Sequence, residues 1–207
     1  SKMSKITNTG IFITEGAAAG ASVAGNGQIW VKSDAPSSLY HTDDAGNDLR
    51  MGGFMVTAEV ATTSGNSVAV TGLPVGIRNI AVFLQDVSST GSNEFALQVS
   101  TGTTFATSGY KAASWNGANV DARATGLMLT YGVAAGETRD GVIRLSLADV
   151  TNNTWVSGGI LNEGTTASLL NGSSGTISLS GVIDGVRIIN IGGSETFDAG
   201  SINVMYQ

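Results

Sequence analysis

The chain has no cysteine, two prolines and a single histidine. The first absence excludes disulfides, thiolate metal sites and cysteine nucleophiles. Charge is scarce as well: Asp, Glu, Lys and Arg make up 13% of the 207 residues, and the net charge is −6. The ten Lys and Arg are scattered. They form no basic stripe that could displace counterions from a phosphate backbone, so no nucleic-acid partner is expected. No apolar run approaches the ~20 residues that cross a bilayer as a helix, and no membrane insertion is expected. Residues 3–10 are polar, and the run 11–13 is too short for the apolar region of a secretory signal. The expectation is a soluble chain made in the cytoplasm.

Reactive constellations are missing too. The chain holds neither a G-x-S-x-G elbow nor a phosphate-cradling G-x-x-x-x-G-K-[ST] loop. His41 stands between Tyr40 and Thr42, with Asp43 and Asp44 next. Neighbours along a strand point to opposite faces, so that order makes no dyad, and a surface histidine is expected. Asp43, Asp44, Asn47 and Asp48 offer oxygens to calcium, yet the EF-hand order ending in a glutamate is absent. An acidic turn bonding its own backbone is the plainer reading, with calcium left open. The remaining carboxylates fall singly near turns. No enzyme, metal or cofactor is expected.

What the chain does have is 29 glycines, abundant Ser, Thr and Asn, and 42% hydrophobic residues. Short strands with tight turns follow from that mixture, with a sizeable core. The glycines keep no triplet period, which excludes collagen, and no 20–50-residue repeat points to a propeller or solenoid.

Residues 25–49, GNGQIWVKSDAPSSLYHTDDAGNDL, organise the first part of the chain. They read as strands 28–32 and 39–42 around a loop at 33–38, where Asp34 and Pro36 form the turn. Upstream, the Gly/Ala tract 16–27 lacks an apolar stripe and reads as a linker or irregular arm. The run 11–14 (IFIT) fits one strand with no hairpin partner nearby, stable only on another surface. Ile11, Phe12, Ile13, Ile29, Trp30, Leu39 and Tyr40 are therefore the candidate attachment or oligomer-interface residues.

From Phe54 the pattern becomes strands spaced by turns: 54–60, 67–71, 77–87, 94–99, 126–131, 141–147, 154–156, 176–180, 185–191 and 201–206. Residues 100–124 are weakly patterned and read as a long loop, a common carrier of function. Trp30 and Trp155 sit in strands as core or interface residues. Trp115, in Ser114-Trp115-Asn116-Gly117, is the candidate exposed platform for a sugar ring, and Tyr110, Trp115 and Asn116 are the candidate ligand-binding set. The expected fold is all-β, a short N-terminal arm and β-hairpin module followed by a jelly-roll-like two-sheet β-sandwich. The division falls at 1–53 and 54–207.

The hairpin G-x-x-W-V-K-x-x-x-P-x-x-L-Y-x-T-D-D-x-G of residues 27–46 resembles a short module of tailed-bacteriophage structural proteins. Further phrases are similar to a β domain of tail-fibre and other virion proteins: Leu73-Pro74-Val75-Gly76-Ile77-Arg78-Asn79-Ile80, Thr154-Trp155-Val156-Ser157-Gly158-Gly159 and Phe197-Asp198-Ala199-Gly200-Ser201. The resemblance implies a non-enzymatic virion component, a small fibre or a capsid or tail decoration subunit. With it come a homotrimeric state, other virion proteins as partners, an N-terminal attachment arm and a C-terminal knob. The alternative it carries is a lectin-like receptor-binding knob for host surface glycan.

Overall fold

The computed structural model describes residues 5–7, 10–21, 23–33, 38–163 and 169–207, with backbone alone for 5–7 and 10–12. Its residues are strands and turns, and the chain divides into two compact units, Ser1–Met55 and Val56–Gln207.

In the first unit, Lys5–Thr7 (β1) pairs antiparallel with Gly10–Phe12 (β2), placing Ile6 opposite Ile11. The apolar run expected to lack a hairpin partner thus finds one in the residues just before it. The second sheet orders Glu15–Gly16 (β3), Gln28–Lys32 (β4), Ser38–Thr42 (β5) and Asp48–Arg50 (β6). Asp34 and Pro36 lie outside the described residues. β4 and β5 align Trp30 with Tyr40, whose rings stack with centroids 5.1 Å apart. Trp30 Nε1 donates to Thr42 Oγ1 at 2.8 Å, so the indole's polar edge is satisfied as its ring is buried. The turn after β5 is capped by Asp43, whose carboxylate accepts from the Ala45 and Asn47 amides and from Asn47 Nδ2.

The strand Met55–Val56 (β7) carries the boundary between the units. Beyond it come Val60–Ala61 (β8), Ser67–Thr71 (β9), Asn79–Ser89 (β10), Phe95–Thr101 (β11), Thr104–Phe105 (β12), Lys111–Trp115 (β13) and Val120–Arg123 (β14). Leu127–Met128 (β15), Arg139–Asp149 (β16), Thr154–Glu163 (β17), Leu170–Ser178 (β18), Gly185–Asn190 (β19) and Phe197–Tyr206 (β20) complete the unit. They form a two-sheet β-sandwich. The larger sheet runs β14-β13-β18-β17-β16-β10-β20, with β8 also on β20, and the smaller runs β12-β11-β19-β9, with β15 also on β11. The ladders that join β10 to β16 and β20, β17 to β16 and β18, and β19 to β11 and β9 are all antiparallel.

Period-two alternation builds the core from both sheets. Ile80, Val82 and Leu84 of β10 oppose Leu145, Ile143 and Gly141 of β16, while Phe95, Leu97 and Val99 of β11 oppose Asn190, Ile188 and Val186 of β19. The apolar members of these pairs are buried in one continuous cluster. Phe95 meets Phe197 across it, ring centroids 5.2 Å apart.

The stretch 100–124 is not one long loop, because it holds β12, β13 and β14. In β13 the inward residues are Ala112 and Ser114 and an outward one is Trp115, so hydropathy runs opposite to burial. Likewise the expected short strand 154–156 extends to Glu163, through Gly158 and Gly159 that have no intrinsic strand preference.

Candidate functional site

β13, β14, β17 and β18 bring one set of side chains to the outer face of the larger sheet. Directly opposed residues of antiparallel strands share a face, so register alone assembles rows across the strands. One row runs Val120, Trp115, Gly172, Ile160 and Val142. Trp115 is 50% exposed, Ile160 59% and Val120 65%. The next row, Ala122, Ala113, Ser174, Gly158 and Arg144, is made of small residues up to its arginine. A third row holds Lys111, Thr176 and Val156.

A trough of about 680 Å³ follows Ala122, Ala113 and Ser174, with Lys111 and Val156 on its bank. A second hollow of about 310 Å³ adjoins Trp115 and Val120. The indole needs the glycine beneath it: a Cβ at Gly172 would lie 2.9 Å from Trp115 Cε3. Gly172 therefore lets the ring lie down on the sheet, and its exposed side becomes a flat apolar platform.

The other expected ligand-binding residues have structural work. Tyr110 is 2% exposed and belongs to the core, so the expectation that it meets a ligand is corrected. Its hydroxyl accepts from the Val99 amide at 3.0 Å and donates to the Ala106 carbonyl at 3.1 Å. Burial pushes the phenol up to about 12, against the opposing hydrogen bond from Val99. Asn116 caps the β13–β14 turn, its Oδ1 accepting from the Ala118 and Asn119 amides. Trp155, expected in the core or an interface, is buried.

Of the candidate attachment residues, Trp30 and Tyr40 are packed inward, whereas Ile29 and Leu39 are exposed. The register sets Ile29 opposite His41 and Leu39 opposite Val31, so these four share the face away from the aromatic stack. Ile13 is half-buried, and the side chains of Ile11 and Phe12 lie outside the described residues. His41 lies against Gly27 rather than beside a nucleophile: a Cβ there would come within 2.5 Å of its Nε2. Among the described residues no group of three or more His, Asp or Glu is placed to hold a metal ion. The Asp43 carboxylate is held below the ordinary 3.8 chiefly by the Asn47 side chain.

Gly172, Ser174, Gly158 and Ile160 are the parts of this face that sequence reasoning missed. Their one signal is the facing pair Ser157-Gly158-Gly159 and Gly172-Ser173-Ser174-Gly175, two small-residue runs inside strands. Glycine in a strand marks a close approach of another group.

No protein-family model, curated protein or solved structure matches this chain.

Proposed function

We propose that this chain is a non-enzymatic virion structural protein of the tailed-bacteriophage type, a small fibre or a capsid or tail decoration subunit. In this reading the first unit docks on the particle and joins copies into a trimer, and the β-sandwich is the displayed knob. The observation that carries it is the hairpin unit itself. A short four-stranded sheet closes its aromatics on one face and leaves Ile29 and Leu39 bare on the other, ahead of a body with its own core. A small sheet with one uncovered apolar face gains stability from a second surface. The resemblance of residues 25–49 to a phage module supports the same assignment.

Light scattering on the full chain and on a form starting at Phe54 tests it. A trimer that becomes a monomer on truncation is the expected result, together with the protein's presence in purified particles. A monomeric full chain that is absent from particles overturns the reading.

A second reading, glycan recognition by the knob, is favoured by one observation: the half-exposed Trp115 laid flat on Gly172 beside a trough. Aromatic faces stack on the apolar faces of sugar rings, and Ser174 and Thr176 put hydroxyl groups along the same trough. Glycan-array binding that Trp115→Ala abolishes is the expected outcome. Array silence, or binding unchanged in the variant, removes this reading and leaves the first intact.

A further inference from the structure

We infer that the outer face of the smaller sheet holds a pocket for a small carboxylic acid, anchored by Arg187. The inference is independent of the Trp115 trough, which lies on the other sheet.

Arg187 sits on β19 opposite Gln98 of β11 and Ala69 of β9. Gln98 is 3% exposed, unusual for an amide on an outer face, and its orientation is fixed. Its Nε2 donates to the Thr125 carbonyl at 2.6 Å, which leaves Oε1 to accept from Arg187 Nε at 2.8 Å. The guanidinium lies over the Phe105 ring, 4.4 Å from its centroid. A buried amide and an aromatic ring therefore hold the arginine in one plane.

With Nε committed, the edge formed by the two terminal nitrogens remains. Neither has a hydrogen-bond partner among the described residues, and none of the ion pairs among them includes Arg187. That edge is a two-pronged donor matching the two oxygens of one carboxylate. Because the fork is already ordered, little side-chain entropy is lost when it binds.

The fork opens on a pocket of about 380 Å³ bounded by Asn66, Ser67, Gln98, Ile189 and Gly192. That volume falls in the range of small-molecule sites. No other charged residue lines it, so it offers one positive charge. A monocarboxylate fits that better than a phosphate dianion, which would be left half-neutralised. Asn66 Nδ2 is spent on the Gly193 carbonyl at 3.0 Å, leaving its oxygen as an acceptor, and the Ser67 hydroxyl stands exposed beside it. The ligand chemistry is then one carboxylate on a hydroxylated body, as in a sugar acid, either free or as the end residue of a glycan.

The test titrates the full chain with D-glucuronate, following the Arg187 Nε–H resonance by NMR and the heat by calorimetry. D-glucose, acetate and inorganic phosphate are the comparison probes. Saturable binding of glucuronate that glucose lacks is expected. Arg187→Lys keeps the charge and removes the fork, and should weaken binding roughly tenfold or more. A disaccharide ending in glucuronate that binds more tightly than the free acid identifies a glycan end, and equal binding identifies the free acid; both uphold the pocket. Equal binding of acetate, phosphate and glucuronate, retained in Arg187→Lys, means an adventitious ion only and overturns it. So does glucuronate binding no better than glucose.

Discussion

The two faces of the larger sheet use the same small residues for opposite purposes. On the inner face Gly175 makes room for its neighbours: a Cβ there would lie 2.7 Å from the Ala112 Cβ and 2.9 Å from Leu127 Cδ2. On the outer face Gly158 borders open space, where the nearest atom to an added Cβ would be the Ser173 carbonyl oxygen, 3.8 Å away. One glycine admits the core and the other lies open on the outer surface. Tryptophan divides in the same way. Trp155 of β17 closes the core, while Trp115 of β13 lies on the surface. A strand's two faces are separate environments, so residue type alone says little about role.

Valine substitutions give the sharpest break in that comparison. Gly175→Val overpacks Ala112 and Leu127 and should cost about 2–3 kcal/mol. Gly158→Val should change stability by only about 0.5 kcal/mol, as for other open surface positions. Urea unfolding of the two variants measures the contrast directly; equal losses would mean that the faces do not differ as described.

A smaller effect separates Tyr110 from Trp115. Tyr110→Phe leaves the Val99 amide without its acceptor and should cost about 1–2 kcal/mol, with glycan binding untouched. Trp115→Ala should do the reverse, sparing stability and removing binding. Parallel unfolding and binding measurements decide whether the two aromatics have those separate roles.

The smallest effect is acid sensitivity at the end of the sandwich. Asp184 lies below the ordinary 3.8, first through the Ser100 hydroxyl, against burial, and then through the Thr103 amide. Its Oδ1 accepts from Ser100 Oγ at 2.5 Å and its Oδ2 from the Thr103 amide at 2.7 Å. A depressed folded-state value means that its stabilisation is present above 3.8 and is lost as pH falls through the folded value. Asp184→Asn should therefore flatten the fall in melting temperature below about pH 4, where an aspartate of ordinary affinity begins to take up protons. An unchanged acid profile would assign that fall to other carboxylates, such as Asp149, which Asn152 holds low.

Much of the architecture was legible because alternation is a local property. Residues 94–99 and 185–191 read as strands, and β11 and β19 occupy Phe95–Thr101 and Gly185–Asn190. Of the candidate face, only Trp115 was legible. Its other members, Gly172, Ser174 and Gly158, share the face by register, and small residues carry no periodic signal. Tyr110 misled because an aromatic among Gly and Ser looks exposed when the packing above it is contributed by distant strands. Arg187 and Gln98 are 89 positions apart, and nothing local joins them.

By itself the sequence determined the all-β class, the strong central strands, the self-capping Asp43 turn and the absence of cysteine chemistry. These follow from composition, period-two patterning and short-range hydrogen bonding. Only the tertiary structure decided which face each strand buries, which glycine seats the indole, and which amide orders the arginine. Each of those depends on register between strands far apart in the chain, and register is fixed when the two sheets close on a common core.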